Sequence, residues 1–135
     1  MHSPAILYPA FALVGWTFMV LLTVAGARFA SKVHPSHFAL GESDKVPLRA
    51  RLVNRNYMNL LELPMLFYAV CVLLYSANAA SALAVQLAWS YVILRMVHSV
   101  VHIGYNNVVH RLLVFAIGNF VLMALWISAW NRLAT

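Results

Sequence analysis

The sequence predicts an all-α integral membrane protein, folded as a four-helix up-and-down bundle. Three observations carry that prediction. Residues 5–27 and 112–130 hold no charged side chain, and each run is long enough to cross a bilayer core as a helix, which takes about 20 residues. Charged residues make up 9% of the chain against 64% hydrophobic, whereas a soluble domain carries about 25% charged residues. Finally, short polar connections separate four apolar segments, and short connections make successive helices antiparallel neighbours. The 135 residues suit one domain, 1–135, with no internal repeat or low-complexity tract.

The first segment runs from about Ala5 to Ala30. It is expected to stay in the membrane rather than be cleaved as a signal. No Lys or Arg precedes it, and it exceeds the roughly 7–15 apolar residues of a signal core. The stretch "SKVHPSHFALGESDKV" mixes Pro, Gly, Ser and charges and reads as a polar connection. The second segment begins near Pro47, because proline is tolerated in a first helical turn where its missing N–H would go unused. It continues to about Ser76. Within it Pro64 frees the carbonyl of Leu60, so a kink is expected near Glu62. "SANAAS" turns the chain, the third segment covers Ala82 to Tyr105, and "NN" at Asn106 and Asn107 ends it. The fourth segment covers His110 to Asn131.

Charge sets the expected orientation. Arg28, Lys32, Lys45, Arg49, Arg51 and Arg55 flank the first connection and Arg111 lies by the third, while the second connection has no charge. The positive-inside rule therefore places both termini outside the cytoplasm and the first and third connections within it. The net charge of +6 is explained by that clustering and does not indicate a nucleic-acid partner. Cys71 is the only cysteine, so an intrachain disulfide is excluded and a buried thiol is expected. Trp16, Trp89, Trp126 and Trp130 are expected to pack the core or anchor the interfaces.

Two helices carry polar residues where hydrocarbon is expected. In "RLVNRNYMNLLELPMLFYAV", Arg51, Arg55, Asn59 and Glu62 fall within about 80° of arc at 100° per residue. In "YVILRMVHSVVHIGY", Arg95, His98 and His102 share one face at steps of three and four. An ionised side chain at the bilayer centre costs about 2.5–3.5 kcal/mol on an insertion scale, so such residues default to a functional site. Glu62 and Arg95 are the deepest charges on their helices and are expected to pair across the bundle as a structural ion pair. Arg55, Asn59, His98 and His102 would line a wetter space opening to the cytoplasm, with Arg111 at its rim. Arginines in such a space select carboxylates and phosphates through forked hydrogen bonds, and a guanidinium beside a thiol favours the nucleophilic thiolate.

The stretch "RNYMNLLELPMLFY", together with "RMVHSVVH" and the later "HR", resembles the MAPEG family, the membrane-associated proteins in eicosanoid and glutathione metabolism. The pattern on the second helix is Arg55, Asn59, Glu62 and Pro64. Arg95 and His98 match an arginine and a histidine of the third helix, Arg111 matches the arginine that opens the fourth, and Arg28 resembles one that reaches glutathione from a neighbouring subunit. The resemblance implies a homotrimer in the lipid bilayer that binds glutathione near the cytoplasmic face, with Arg111 as the catalytic thiolate stabiliser and a lipophilic small molecule as co-substrate. Arg28, Arg55, Asn59, Glu62, His98 and His102 would hold the glutathione. The chain departs from the family pattern at His102, which stands where tyrosine is common, at Leu112 for serine, at Phe115 for tyrosine and at Met58 for arginine. Three function classes follow: a glutathione- or other thiol-dependent transferase or peroxidase; a non-catalytic lipid-binding or scaffolding protein of the same fold; and a haem or metal protein using His98 and His102 at i, i+4.

Overall fold

The computed structural model describes residues 3–38 and 43–134, and every regular element among them is helical. A 3-10 turn at Pro4–Ile6 leads into α1 (Leu7–Ala30). A second 3-10 turn at Pro35–Phe38 follows, then α2 (Leu48–Leu61), α3 (Pro64–Ser76), α4 (Ala82–Ile103) and α5 (Val108–Leu133). Four stretches are long and apolar enough to cross a membrane: Pro4–Ala30, Leu48–Ser76, Ala82–Ile103 and Val108–Leu133. They agree with the four segments expected from the sequence. Residues 39–42 of the expected polar connection lie outside the described residues.

Local chemistry explains the ends. Ser81 caps α4 by accepting from the Ala84 amide at 3.2 Å. Asn107 caps α5 by accepting from the amides of Val109 and His110 at 3.0 and 3.1 Å. Two otherwise orphaned N–H groups of the first turn are thereby satisfied. Asn106 supplies the reversal before it with φ of 46°, a left-handed conformation that asparagine tolerates better than most side chains.

The second span is broken rather than merely bent. Glu62 ends α2 with ψ of −90°, and Pro64 is the first residue of α3. Having no N–H, Pro64 cannot continue the ladder to Leu60. The chain instead closes two tighter bonds, Met65 N–H to the Glu62 carbonyl at 3.2 Å and Leu66 N–H to the Leu63 carbonyl at 3.0 Å. The kink expected at Pro64 is where the sequence placed it.

α1 packs chiefly on α2 and α4 chiefly on α5, and α4 also meets both α1 and α2. The interior is divided along its length. One half is hydrocarbon: Ile6, Leu13, Phe67, Leu74 and Leu125 are fully buried around Ala84 and Ala88. Phe67 of α3 stacks on Tyr91 of α4 with ring centroids 4.7 Å apart. Among helices in lipid, close contact of this kind replaces the water-exclusion drive of soluble cores, and small residues such as these alanines let backbones approach. Cys71 lies in this half, buried and unpaired. The other half, towards the basic connections, buries Asn56, Arg95, His98, Ser99 and His102.

Candidate functional site

The polar half is built on α4. Its residues 91, 95, 98, 99 and 102 follow steps of three and four, so they form one inward face. Arg95 is 2% exposed. Its Nε donates to the Tyr91 hydroxyl at 2.9 Å and its Nη2 to Asn119 Oδ1 at 3.1 Å. The guanidinium also lies 5.1 Å from the ring centroids of both Tyr91 and Phe115. Desolvated contacts of this type contribute about 2 kcal/mol.

The ion pair expected between Glu62 and Arg95 is not made within the chain. Arg95 is held by neutral partners, and the one ion pair among the described residues is Arg51 with Asp44 at 3.6 Å. Glu62 is exposed on the outside of the protomer. The reason is angular. The buried residues of α2 are Ala50, Val53, Asn56 and Leu60. At 100° per residue their stripe points roughly 160° away from the one carrying Arg51, Arg55, Asn59 and Glu62. The residue of α2 that enters the polar interior is Asn56, whose amide nitrogen and oxygen are buried without a partner.

Towards the basic end, Arg111 reaches back from the first turn of α5. Its Nη1 donates to Asn106 Oδ1 at 2.9 Å and contacts His102 Nδ1 at 3.2 Å. A guanidinium has no lone pair to accept with, so Nδ1 must be the unprotonated nitrogen of that imidazole, and the ring carries its hydrogen on Nε2. Nε2 has the Leu52 backbone nearby but lies outside hydrogen-bond geometry. His98 stacks obliquely on His102 and on Phe115, with centroids 5.9 and 5.8 Å away. The Arg95 and Arg111 guanidiniums are close enough for their charges to act on His98, and those of Arg111 and Arg55 on His102.

The remaining expected residues divide differently. Arg55 is exposed and Asn59 half-buried on the outer face of α2. Arg28 is exposed at the end of α1, where its Nη2 donates to Asn54 Oδ1 at 3.0 Å and its guanidinium covers the Phe38 ring at 5.3 Å. The structure therefore brings together Arg95, His98, His102 and Arg111, and sets Arg28, Arg55, Asn59 and Glu62 on the surface of the protomer. For a metal, His98 and His102 share a face but stand among guanidinium groups. No group of three His, Cys, Asp or Glu residues gathers among the described residues.

Sequence reading missed Asn56, Tyr91, Asn106 and Asn119. Two signals were present: Tyr91 precedes Arg95 by one helical turn, and Asn119 is the single amide within the uncharged run 112–130.

These features define a polytopic α-helical membrane protein with one hydrocarbon half and one cationic half. A family model for the MAPEG family matches residues 6–130. That match spans nearly the whole chain, and the protein belongs to the MAPEG family. No curated protein and no solved structure matched it.

Proposed function

We propose that the protein is a thiol-dependent transferase or peroxidase acting on lipophilic electrophiles, with glutathione as the thiol. The observation that carries this reading is the outward stripe on α2, where Arg55, Asn59 and Glu62 stand on the protomer surface within a membrane-spanning stretch. A carboxylate facing lipid is strongly disfavoured. A neighbouring protomer would turn the stripe into the wall of a shared cleft, as the homotrimer of this family implies. By the positive-inside rule the cleft opens to the cytoplasm and both termini lie on the opposite side.

The residues present suit an anionic tripeptide thiol. Arg55 and the partner subunit's Arg28 offer guanidinium forks for carboxylates, Asn59 offers an amide pair, and Glu62 offers a carboxylate for an ammonium. Bound glutathione would supply the sulfur nucleophile. Arg111 would stabilise its thiolate: one nitrogen, Nη1, serves both His102 and Asn106, and among the described residues no hydrogen bond engages Nε or Nη2. His102 and Asn106 thus aim the cation from behind. The thiol proton would pass to water at the basic end and the thiolate sulfur would attack an electrophilic carbon. A leaving group then departs with the electron pair of its bond or, in conjugate addition, the π pair takes up a proton from water. Calorimetric titration with glutathione in detergent tests the reading. Binding weakened in Arg55→Ala is expected, and silence at millimolar ligand removes glutathione.

A second reading has its own observation. Phe115 packs over Arg95 and His98 and Leu112 is exposed, so the two positions that carry hydroxyls in the family pattern hold hydrocarbon here. A non-catalytic lipid-presenting protein of the same fold fits that arrangement. It predicts bound lipid with no conjugation of an electrophile; turnover that disappears in Arg111→Ala decides against it.

A further inference from the structure

A slot runs along the opposite face of the protomer, between α1 and α4. Its mouth is a cavity of about 460 Å³ at the basic end, lined by Gly26, Ala27, Ala30, Arg49, Ala50 and Ile103, among others. Its inner part is a cavity of about 400 Å³ lined by Trp16, Met19, Val20, Ser99, Val100 and Ile103, among others. Thr23 and Ile103 border both, so the two cavities adjoin. Small residues make the mouth: a Cβ added at Gly26 would meet nothing within 4 Å.

We propose that this slot binds an anionic glycerophospholipid of the surrounding bilayer, with its phosphate at Arg49, an ester carbonyl near Ser99 and one acyl chain running inward past Trp16. Three observations select that ligand, and none depends on the thiol chemistry proposed for the α2 face. Arg49 is exposed at the mouth with no partner among the described residues. Ser99 is 0% exposed, yet its Oγ has no hydrogen bond, and the buried Nε1 of Trp16 also has none. Both residues line the inner cavity, so two unsatisfied donors lie directly behind its apolar wall, some way in from the charged mouth. An unmatched donor buried in an apolar setting is costly, and an ester oxygen satisfies one without introducing charge.

The dimensions suit a chain rather than a protein helix. From Trp16 to Ala30 the slot extends about 21 Å at 1.5 Å per residue, which exceeds one leaflet's share of the bilayer core, about 15 Å. The inner cavity spreads over about 10 Å of α1, giving a cross-section near 40 Å², about half or less that of a helix about 10–12 Å across. The seven cations near the first and third connections also favour anionic headgroups at this end of the bundle.

The test is native mass spectrometry and tryptophan quenching on the whole protein in detergent, titrated with phosphatidylglycerol or phosphatidylcholine carrying brominated chains. Phosphatidylglycerol should bind about fivefold more tightly than phosphatidylcholine, the preference one exposed cation supplies. Arg49→Gln should erase that preference while leaving phosphatidylcholine binding in place. Gly26→Phe should displace both lipids, with circular dichroism and elution volume confirming its fold. Quenching in the unsubstituted chain should fall in Trp16→Phe, which keeps the proposal testable if Gly26→Phe fails to fold. Equal binding of the two lipids, quenching indifferent to Trp16, or full competition by inorganic phosphate alone would overturn it. So would cross-links showing a second protomer seated in the slot.

Discussion

α2 and α4 invite comparison because each carries cations and hydrogen-bonding side chains at steps of three and four in an apolar setting, and the fold treats them oppositely. The α4 set turns inward, where Arg95 is held by Tyr91, Asn119 and two aromatic rings. The α2 set turns outward, leaving Arg55 and Glu62 exposed on the protomer. One stripe draws its partners from the chain's own side chains; the other awaits something from outside. A buried cation without a carboxylate is tolerated where rings and neutral oxygens surround it. A carboxylate beside lipid has no such shelter.

That contrast can be broken by substitution. Arg95→Ala should have the largest effect, lowering stability by about 3 kcal/mol or more, because it leaves a cavity and strips Tyr91 and Asn119 of their donor; thermal unfolding in detergent measures it. Arg111→Ala should reduce conjugation of a model electrophile about 100-fold, the scale for losing one donor to a developing anion, with the protein still folded. On the outer stripe, Arg55→Ala should weaken glutathione binding about tenfold, as for a charge-assisted contact, while stability stays within about 0.5 kcal/mol. If Arg55→Ala instead unfolded the protomer, the division into inner and outer stripes would be wrong. Asn119→Leu should cost about 1 kcal/mol through one lost hydrogen bond to Arg95. Asp44→Asn should leave the melting temperature unchanged, since its bridge to Arg51 is exposed and screened.

Much of this architecture was legible in the sequence. The four spans follow from uninterrupted hydrocarbon length, the break follows from Pro64, and the last turn follows from the paired asparagines. Period also showed that Arg95, His98 and His102 share a face. What period could not show is where a face points. In a soluble protein, polar residues mark the outside; in a bilayer, lipid tails are as apolar as a leucine core, and that compass is lost. Depth alone pairs Glu62 with Arg95, although their helices present them in different directions. Asn56 escaped for the same reason: it lies one step from Arg55 in sequence but on the buried side. The site expected from sequence was a single cavity, and the protomer divides it into an interior column and a surface half.

The turn between α4 and α5 has a further consequence. Asn106 bends the backbone through a left-handed conformation, and its side chain also anchors Arg111. Loop architecture and cation placement are thereby inherited together. Glycine there would preserve the reversal while unmooring the guanidinium, so the shortest loop at this end of the molecule doubles as part of its aiming gear.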